Sequence, residues 1–542
     1  MTETARSEAE STARSSVTVA VWTLLSRVTG LLRVLVIGAL LGPTYFANLF
    51  QAGYLLPNTV FAVVAGPVLG MVVVPTVARA LTNGGVERAG RVLGLLAGRL
   101  LTVAGIGTAA LALVSPLLAW TLVFAVPGPE RMRAWLLCTV LVLFVAPQVL
   151  LYTVAELGVA AQQARHRFAL AAGAPAVESI GTIATLLAAA AVFGTGQDVG
   201  QAPLAMVLLL GAGTTGSVLL HAGLQCYGAL RVGVPVRPRL GWRRDQEASG
   251  ALHRMVRSIP VAGGPALVDY GLTVVASTVP GGVLVVQLSY QVFAALSFVG
   301  SRAVSMAALP GLSEAMAAGD PRRFGTAWRQ GVFYALVAGL PLLLLLAVFA
   351  RPTADLLANG ALRENGLITE LAACLAVAAF VQLANGLHDY ARQALFARLD
   401  DRGPSRASIV GLVASAVVAL GALLLPADGV RLFVLVVALL AGELASAVTA
   451  MVRVRRAIRP ERMFARRHAV TLTLATSAML PVLALGWWLI GALEPPRALE
   501  LPLLLACGVV AVVPYAVVLL VRGFDPSSDA ARSARRWQIR RS

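Results

Sequence analysis

Two arginines lie inside the first long apolar run of the chain, in the stretch SRVTGLLRVLVIGALLG at 26–42. Arg27 and Arg33 are six residues apart, so on a helix they lie about 9 Å apart along the axis and about 240° around it. Guanidinium groups bind anions through charge-assisted, often bidentate hydrogen bonds. A central arginine costs about 2.5–3.5 kcal/mol in a membrane and usually faces a protein interior or a wet cavity. The pattern predicts an anion-binding cavity, with Gly30 leaving room between the two side chains.

The same arginines also have a purely structural interpretation. Both guanidinium groups could extend towards the lipid headgroups, or they could pair with carboxylates elsewhere in the chain. Because both residues lie roughly in the middle of the apolar run, extension to the headgroups is the weaker explanation. The sequence alone leaves the binding and the structural interpretations open.

Further polar side chains inside apolar runs are candidates for the same cavity or for ion coupling. Asn48 and Gln291 are the predicted substrate-binding neighbours of the two arginines. Asp269 could pair with an arginine or hold a coupling proton or sodium ion, and Glu178 and Arg302 are further candidates for that role. For Asp269 the alternative is a hydrogen-bonded residue of helix packing. The sequence predicts a polar cavity but does not decide which of these residues bind substrate, couple an ion or pack between helices.

Catalytic and metal-binding patterns do not occur in the sequence. It contains no nucleophile motif, no P-loop and no zinc-ligand spacing, so we predict neither an enzyme nor a metal site. A membrane transferase with a lipid-linked substrate is an open alternative that no residue pattern supports. No resident cofactor is expected beyond a coupling ion. The cysteines lie in apolar runs and are expected to be small core residues: Cys138, Cys226, Cys374 and Cys507.

The elements that position these side chains are apolar runs of about 20 residues, which recur along the whole chain. Of the 542 residues 58% are hydrophobic and 13% charged, which is too apolar for a soluble protein of this length. The sequence predicts an all-α polytopic membrane protein. Fourteen spans are predicted, at 17–41, 46–78, 92–124, 134–160, 169–193, 202–228, 255–279, 281–311, 325–350, 368–395, 405–426, 430–452, 468–493 and 499–521.

Arginines alternate between the connecting loops. The loops at 42–45, 194–201 and 280–283 contain none and the other loops of that side hold one or two each, whereas the alternate loops are richer in arginine. Since positive residues stay cytoplasmic, the bias predicts cytoplasmic termini and an even number of spans. The net charge of +18 is explained by these loops, so no nucleic-acid partner is predicted.

The longest cytoplasmic connector divides six predicted helices from the rest. Span 4 ends in VAAQQARHRF and span 10 in ARQALFARLDDRG, a faint echo that favours two related halves with a binding site between them. The predicted domains are a disordered cytoplasmic tail at 1–16, an N-lobe at 17–228, a basic linker at 229–252, a C-lobe at 253–452, helices 13 and 14 at 453–521, and a basic cytoplasmic tail at 522–542.

Several short motifs resemble those of one transporter family, in the same order along the chain. They are SRVTGLLR at 26–33, LLPN at 55–58, RFALAAGAP at 167–175, LPGLSEAMAAGD at 309–320, LLANGAL at 356–362 and FARLDDRGP at 396–404. On these residues the sequence resembles the MurJ/MviN family of lipid II flippases, within the MATE-like multidrug/oligosaccharidyl-lipid/polysaccharide exporter superfamily.

The resemblance implies a fold and a function. The fold would be a V-shaped bundle of two six-helix lobes, with helices 13 and 14 packed outside. The protein would flip an undecaprenyl-diphosphate-linked cell-wall precursor to the outer leaflet of the bacterial plasma membrane by alternating access. Arg27 and Arg33 would bind the diphosphate. The expected partners are this anionic lipid, membrane lipids and proteins of cell-wall synthesis.

The sequence also departs from the family pattern. An acidic residue is usual where Val34 and Asn48 stand, and basic residues are usual at Phe61, Ala62 and near Gln291. The cavity would therefore keep only part of the family's charge, as in a divergent member. The alternatives are an exporter of another lipid-linked or amphipathic anion and a non-transporting paralogue that acts as a cell-envelope scaffold.

Overall fold

The computed structural model describes residues 3–64, 73–241, 263–364, 367–398, 400, 402–458, 466–493 and 495–522. These residues form α-helices and their connections, with no strand among them, which confirms the all-α prediction. Twelve helical segments in the described ranges are long and apolar enough to cross a membrane. The two other predicted spans, 46–78 and 255–279, include residues outside those ranges.

The first seven helices build the part of the molecule that carries the candidate site. They are α1 (Glu3–Leu41), α2 (Tyr45–Val64), α3 (Val74–Val123), α4 (Gly128–Val145), α5 (Gln148–Ala164), α6 (Ala169–Phe193) and α7 (Leu204–Arg231). The remaining helices are α8 (263–276), α9 (Gly282–Val299), α10 (Ser301–Ala317), α11 (Pro321–Val348), α12 (Ala350–Leu357), α13 (Ala361–Glu364), α14 (Ile368–Ala397), α15 (Arg402–Ala422), α16 (Gly429–Ile458), α17 (Arg466–Leu493) and α18 (Arg497–Val521).

The N-terminal tail at 1–16 was predicted to be disordered. In the structure α1 begins at Glu3 and runs without a break into the first span. The predicted domain bounds, including those of the tail, stay predictions.

Two helix breaks subdivide predicted runs, and a third lies in a predicted loop. The predicted span 134–160 consists of α4 and α5, which are separated at Ala146 and Pro147, where proline has no N–H for the helical ladder. The predicted span 281–311 consists of α9 and α10, which are separated at Gly300. Within α3 the backbone leaves the helical conformation at Gly84 and Gly85, and Gly85 has a φ of 66° that suits glycine.

Close contacts divide the chain into two units. The first contains Met1–Val292, Ala358–Glu370 and Ser408–Gly442, and the second contains Phe293–Leu357, Leu371–Ala407 and Glu443–Ser542. These bounds differ from the predicted lobes at 17–228 and 253–452, which stay predictions.

The first unit is a bundle in which α6 packs against α1 and α7, and α5 packs against α3 and α7. The basic connector after α7 also belongs to it, since Arg239 donates its backbone N–H to the carbonyl of Gly94 at 2.8 Å. A Cβ at Gly98 would lie 2.2 Å from the Arg239 carbonyl oxygen, so only glycine permits this approach. The start of the predicted linker is thus fixed on α3.

The second unit has its own core. The largest fully buried side chains there are Phe324, Trp328 and Tyr390, which pack with Leu312 and Val454. A separate apolar cluster joins α17 and α18 around Met479 and Tyr515.

Candidate functional site

A buried carboxylate on α6 is the centre of a polar cluster in the first unit. Glu178 Oε1 accepts hydrogen bonds from the Tyr152 hydroxyl at 2.8 Å and from the Tyr54 hydroxyl at 3.1 Å. Its Oε2 lies 3.0 Å from Nδ1 of His221. An ionised carboxylate only accepts hydrogen bonds, so it matches three surrounding donors. Four helices therefore meet at Glu178: α2, α5, α6 and α7.

Arg33 joins this cluster from α1. Its Nη1 donates to the Tyr54 hydroxyl at 2.8 Å and lies 4.0 Å from Glu178 Oε1. The guanidinium carbon lies 5.1 Å from the centre of the Tyr54 ring. The Arg33 side chain is 15% exposed, and its Nε is buried without a hydrogen-bond partner among the described residues. We call Arg33, Tyr54, Tyr152, Glu178 and His221 the Glu178 cluster.

Tyr54 is the bridge of the Glu178 cluster. Its hydroxyl accepts from Arg33 and donates to Glu178, so the two charged groups interact without a direct hydrogen bond. At 4 Å the attraction of two unit charges is about 4 kcal/mol at an effective dielectric constant near 20. The arginine is thus held by charge and by one hydroxyl, while part of its hydrogen-bonding capacity is unused.

A close contact between α5 and α7 sets the position of His221. A Cβ at Gly158 would lie 2.6 Å from the backbone oxygen of Gln225, so the two helices touch along their backbones. Beside this contact Gln162 Nε2 donates to Gln225 Oε1 at 2.7 Å. We call this contact of α5 and α7 at Gly158 and Gln225 the seam. Because Gln225 follows His221 by one helical turn, the seam fixes where the His221 imidazole lies relative to α5.

Arg27 lies apart from the Glu178 cluster. It is exposed on α1, whereas Arg33 contacts a tyrosine and lies near a carboxylate. The structural interpretation in which both arginines pair with carboxylates therefore holds for Arg33 alone within the described residues. A Cβ at Gly30 would meet nothing within 4 Å, so the space between the two arginines is open on the side of that glycine.

Asn48 was predicted to bind substrate, but the structure engages its amide with the backbone. It is 2% exposed, and its Nδ2 donates to the carbonyls of Val279 at 2.7 Å and Ser277 at 3.3 Å. Its Oδ1 accepts from the Val283 N–H at 3.1 Å. We call this set of hydrogen bonds the Asn48 latch, since it ties the start of α2 to the turn between α8 and α9.

The other predicted site residues are dispersed. Gln291 is half-buried on α9, and Asp269 is half-buried on α8, where its carbonyl accepts from the Thr273 hydroxyl. Arg302 belongs to the second unit, and its Nε lies 3.9 Å from Asp389 Oδ2. Of the predicted site residues, the structure brings together Arg33 and Glu178. Whether any of them binds substrate or an ion stays a prediction.

Comparison with known families decides the class of protein. A family model for the lipid II flippase MurJ matches residues 37–496 of the chain. The chain belongs to the MurJ family. MurJ proteins are flippases and not enzymes, and membership supports the flipping of a lipid-linked precursor. The match begins four residues after Arg33, so it does not itself assign a role to either arginine of α1.

Solved structures show the same fold. A lipid II flippase MurJ in an inward closed conformation has a TM-score of 0.69 at 15% identity, covering 93% of this chain and 98% of that one. An inward-facing multidrug resistance MATE family transporter has a TM-score of 0.61 at 14% identity, covering 82% and 98%. The Vibrio cholerae MATE transporter VcmN has a TM-score of 0.55 at 18% identity, covering 84% and 98%.

Three members of the Glu178 cluster were not among the predicted site residues of this MurJ-family chain. Tyr54, Tyr152 and His221 lie in apolar runs and resemble residues of an ordinary membrane core. His221 carried a usable signal, because an ionisable side chain within a span is by itself a candidate for function. The two tyrosines carried none, since their hydroxyls acquire a role only through the packing of α2 and α5 against α6.

Proposed function

We propose that this chain flips a lipid II-like, undecaprenyl-diphosphate-linked precursor across the bacterial plasma membrane by alternating access, and that Arg33 binds the diphosphate. The observation that carries the site is the partly used guanidinium of Arg33. It is held in place by Tyr54, it lies within a span, and its Nε has no partner among the described residues. A buried cation with unused donors suits an anionic headgroup.

Arg27 supplies the second cation of the proposed site. It is exposed, lies about 9 Å along the helix from Arg33, and is separated from it by the open position at Gly30. A headgroup could therefore be received at Arg27 and held at Arg33. Gln291 is half-buried and is kept as a further polar contact, whereas we assign to Asn48 the support of α2 through its backbone hydrogen bonds.

The topology of the proposal follows from the loop charges. Cytoplasmic termini place the start of α1 inside, so the headgroup meets Arg27 before Arg33 on its way outwards. Binding to proteins of cell-wall synthesis is part of the proposal as well. The export of another amphipathic anion is less favoured, because the family match spans most of the chain.

The test replaces the arginines of α1 one at a time. Arg33→Ala should lower transport by roughly 10- to 150-fold, since a charge-assisted bond contributes about 1.5–3 kcal/mol. Arg33→Lys should recover part of the activity, because it keeps the charge and loses the planar fork. The readouts are complementation of a strain depleted of its lipid II flippase and flipping of a fluorescent lipid II in reconstituted vesicles.

A matched control exists at the end of α7. Arg231 also lies over a tyrosine, with its guanidinium carbon 5.3 Å from the Tyr227 ring, but it is exposed. Arg231→Ala should transport as the unmodified protein does. If Arg33→Ala inserts, folds and transports normally, Arg33 does not bind the headgroup and the proposed site is wrong.

A further inference from the structure

The membrane helices contain two histidine–glutamate pairs in the part of the chain that the structure describes. In the first unit His221 Nδ1 lies 3.0 Å from Glu178 Oε2, and in the second unit His388 Nδ1 lies 2.9 Å from Glu443 Oε2. The pair in the first unit is joined through Tyr54 to Arg33, the residue to which we assign the diphosphate. This connection distinguishes the two pairs and gives the first one a route to the substrate.

The charged groups at the pair are one arginine and two carboxylates. Glu178 carries one negative charge, and Arg33 supplies one positive charge at 4.0 Å. Glu156, one turn from Tyr152 on α5, adds a second carboxylate that interacts with His221. The titratable or charged groups facing the pair are therefore Arg33 from α1, Tyr54 from α2, Tyr152 and Glu156 from α5, with Glu178 itself on α6 and His221 on α7.

We propose that Glu178 and His221 form a proton-binding site that takes up one proton when Arg33 engages the diphosphate. This inference rests on the proposed function of Arg33. When a diphosphate binds to Arg33, its negative charge neutralises the guanidinium. The positive charge of Arg33 then no longer compensates the negative charge of Glu178. An uncompensated buried charge costs several kcal/mol, and one proton from solution restores the balance. The bond that forms is that of the proton to its acceptor atom in the pair, and it breaks again when Arg33 returns to Glu178 and the proton returns to solution.

The imidazole is the group best suited to receive this proton. Histidine is the side chain whose ordinary titration range lies near physiological pH. Protonated His221 would remain a donor to Glu178 Oε2, so the hydrogen bond survives the change of charge. The tyrosine hydroxyls already donate to Oε1, and their protons are not needed elsewhere. The cluster can therefore change its charge by one without rearranging its contacts.

The experiment measures proton uptake on binding. The full-length protein in lipid nanodiscs is titrated with geranylgeranyl diphosphate by calorimetry, in two buffers of different ionisation enthalpy at pH 7. We expect about one proton taken up per diphosphate and an affinity that rises about tenfold for each unit by which the pH falls. His221→Gln and Glu178→Gln should lose the proton uptake and flatten the pH dependence.

The matched control is His388→Gln, which removes the imidazole of the other pair and should keep the full proton uptake. The pH dependence of the unmodified protein tests the inference even if a variant does not fold. Binding without proton uptake, or equal uptake in His221→Gln, overturns this inference and leaves the role of Arg33 intact. Absence of any binding of the diphosphate, or binding that Arg33→Ala does not weaken, overturns the proposed function and this inference together.

Discussion

Replacement of Asn48 tests whether this residue stabilises the fold through the Asn48 latch or binds substrate in the cavity, as the sequence predicted. The amide of Asn48 is buried and makes three hydrogen bonds to the backbone at Ser277, Val279 and Val283. Replacement by alanine removes all three and leaves the Val279 carbonyl and the Val283 N–H without this partner. The expected effect is therefore on folding, and it can be estimated from the geometry.

Two estimates bracket the loss of stability in Asn48→Ala. Hydrogen bonds between membrane helices average about 0.6 kcal/mol, so three of them give about 2 kcal/mol. The Val283 N–H is left unsatisfied, which costs about 1–3 kcal/mol, whereas the Val279 carbonyl still accepts from the Gly282 N–H at 2.9 Å. The bond at 3.3 Å is weak, so we expect a loss of roughly 1–3 kcal/mol in the free energy of unfolding.

The assay is reversible unfolding in mixed micelles, with transport per folded molecule measured in parallel. Asn48→Asp keeps an acceptor for Val283 but presents a carboxylate to the carbonyls of Val279 and Ser277, so it should be at least as destabilised as the alanine variant. Asn58 is exposed on the same helix, and Asn58→Ala should change stability by less than about 0.5 kcal/mol.

The reverse pattern would refute the latch. If Asn48→Ala unfolds like the unmodified protein while transport per folded molecule falls, Asn48 contacts the substrate as the sequence predicted, and its hydrogen bonds to the backbone contribute little.

Two further predictions concern the surface. The Arg453 guanidinium donates to Asp400 through Nε at 2.5 Å and Nη2 at 2.9 Å and holds the pKa of that carboxyl below its ordinary value of 3.8. Its stabilising effect is complete above about pH 4 and is lost as the pH falls further, so Asp400→Asn should flatten the acid limb of an unfolding profile between pH 6 and 2.5; an unchanged limb would contradict this. The second prediction concerns topology and uses two exposed positions, Thr195 and Leu240. In a protein without the native cysteines, Thr195→Cys and Leu240→Cys should react with a membrane-impermeant thiol reagent from opposite sides of the membrane. Labelling of both from the same side would contradict the span order.

The fold was accessible from the sequence because a membrane imposes a simple rule. Apolar runs of about 20 residues predict spans, and the described helices lie where those runs were found. The breaks at Pro147 and Gly300 were not predicted, because an interruption of one or two residues does not disturb the hydrophobicity of a run.

The candidate site was accessible only in part. Arg33 and Glu178 were both predicted as functional charges within spans. Their meeting depends on α1 packing against α6, a contact between residues 145 positions apart that no local pattern encodes. Asn48 shows the converse, since its amide is polar and intramembrane yet is satisfied by the backbone at Val279 and Val283.

The seam between α5 and α7 has a consequence for electrical insulation. At Gly158 and Gln225 the two backbones approach so closely that a single methyl group would not fit between them, and this contact leaves no room for a water molecule at that point. The seam lies one turn from His221, so it excludes water beside the proposed proton site. A larger residue at 158 would push α5 and α7 apart, and we expect water to enter beside the imidazole. In a membrane that sustains a voltage, we expect such a change to let ions pass through the protein even when flipping continues.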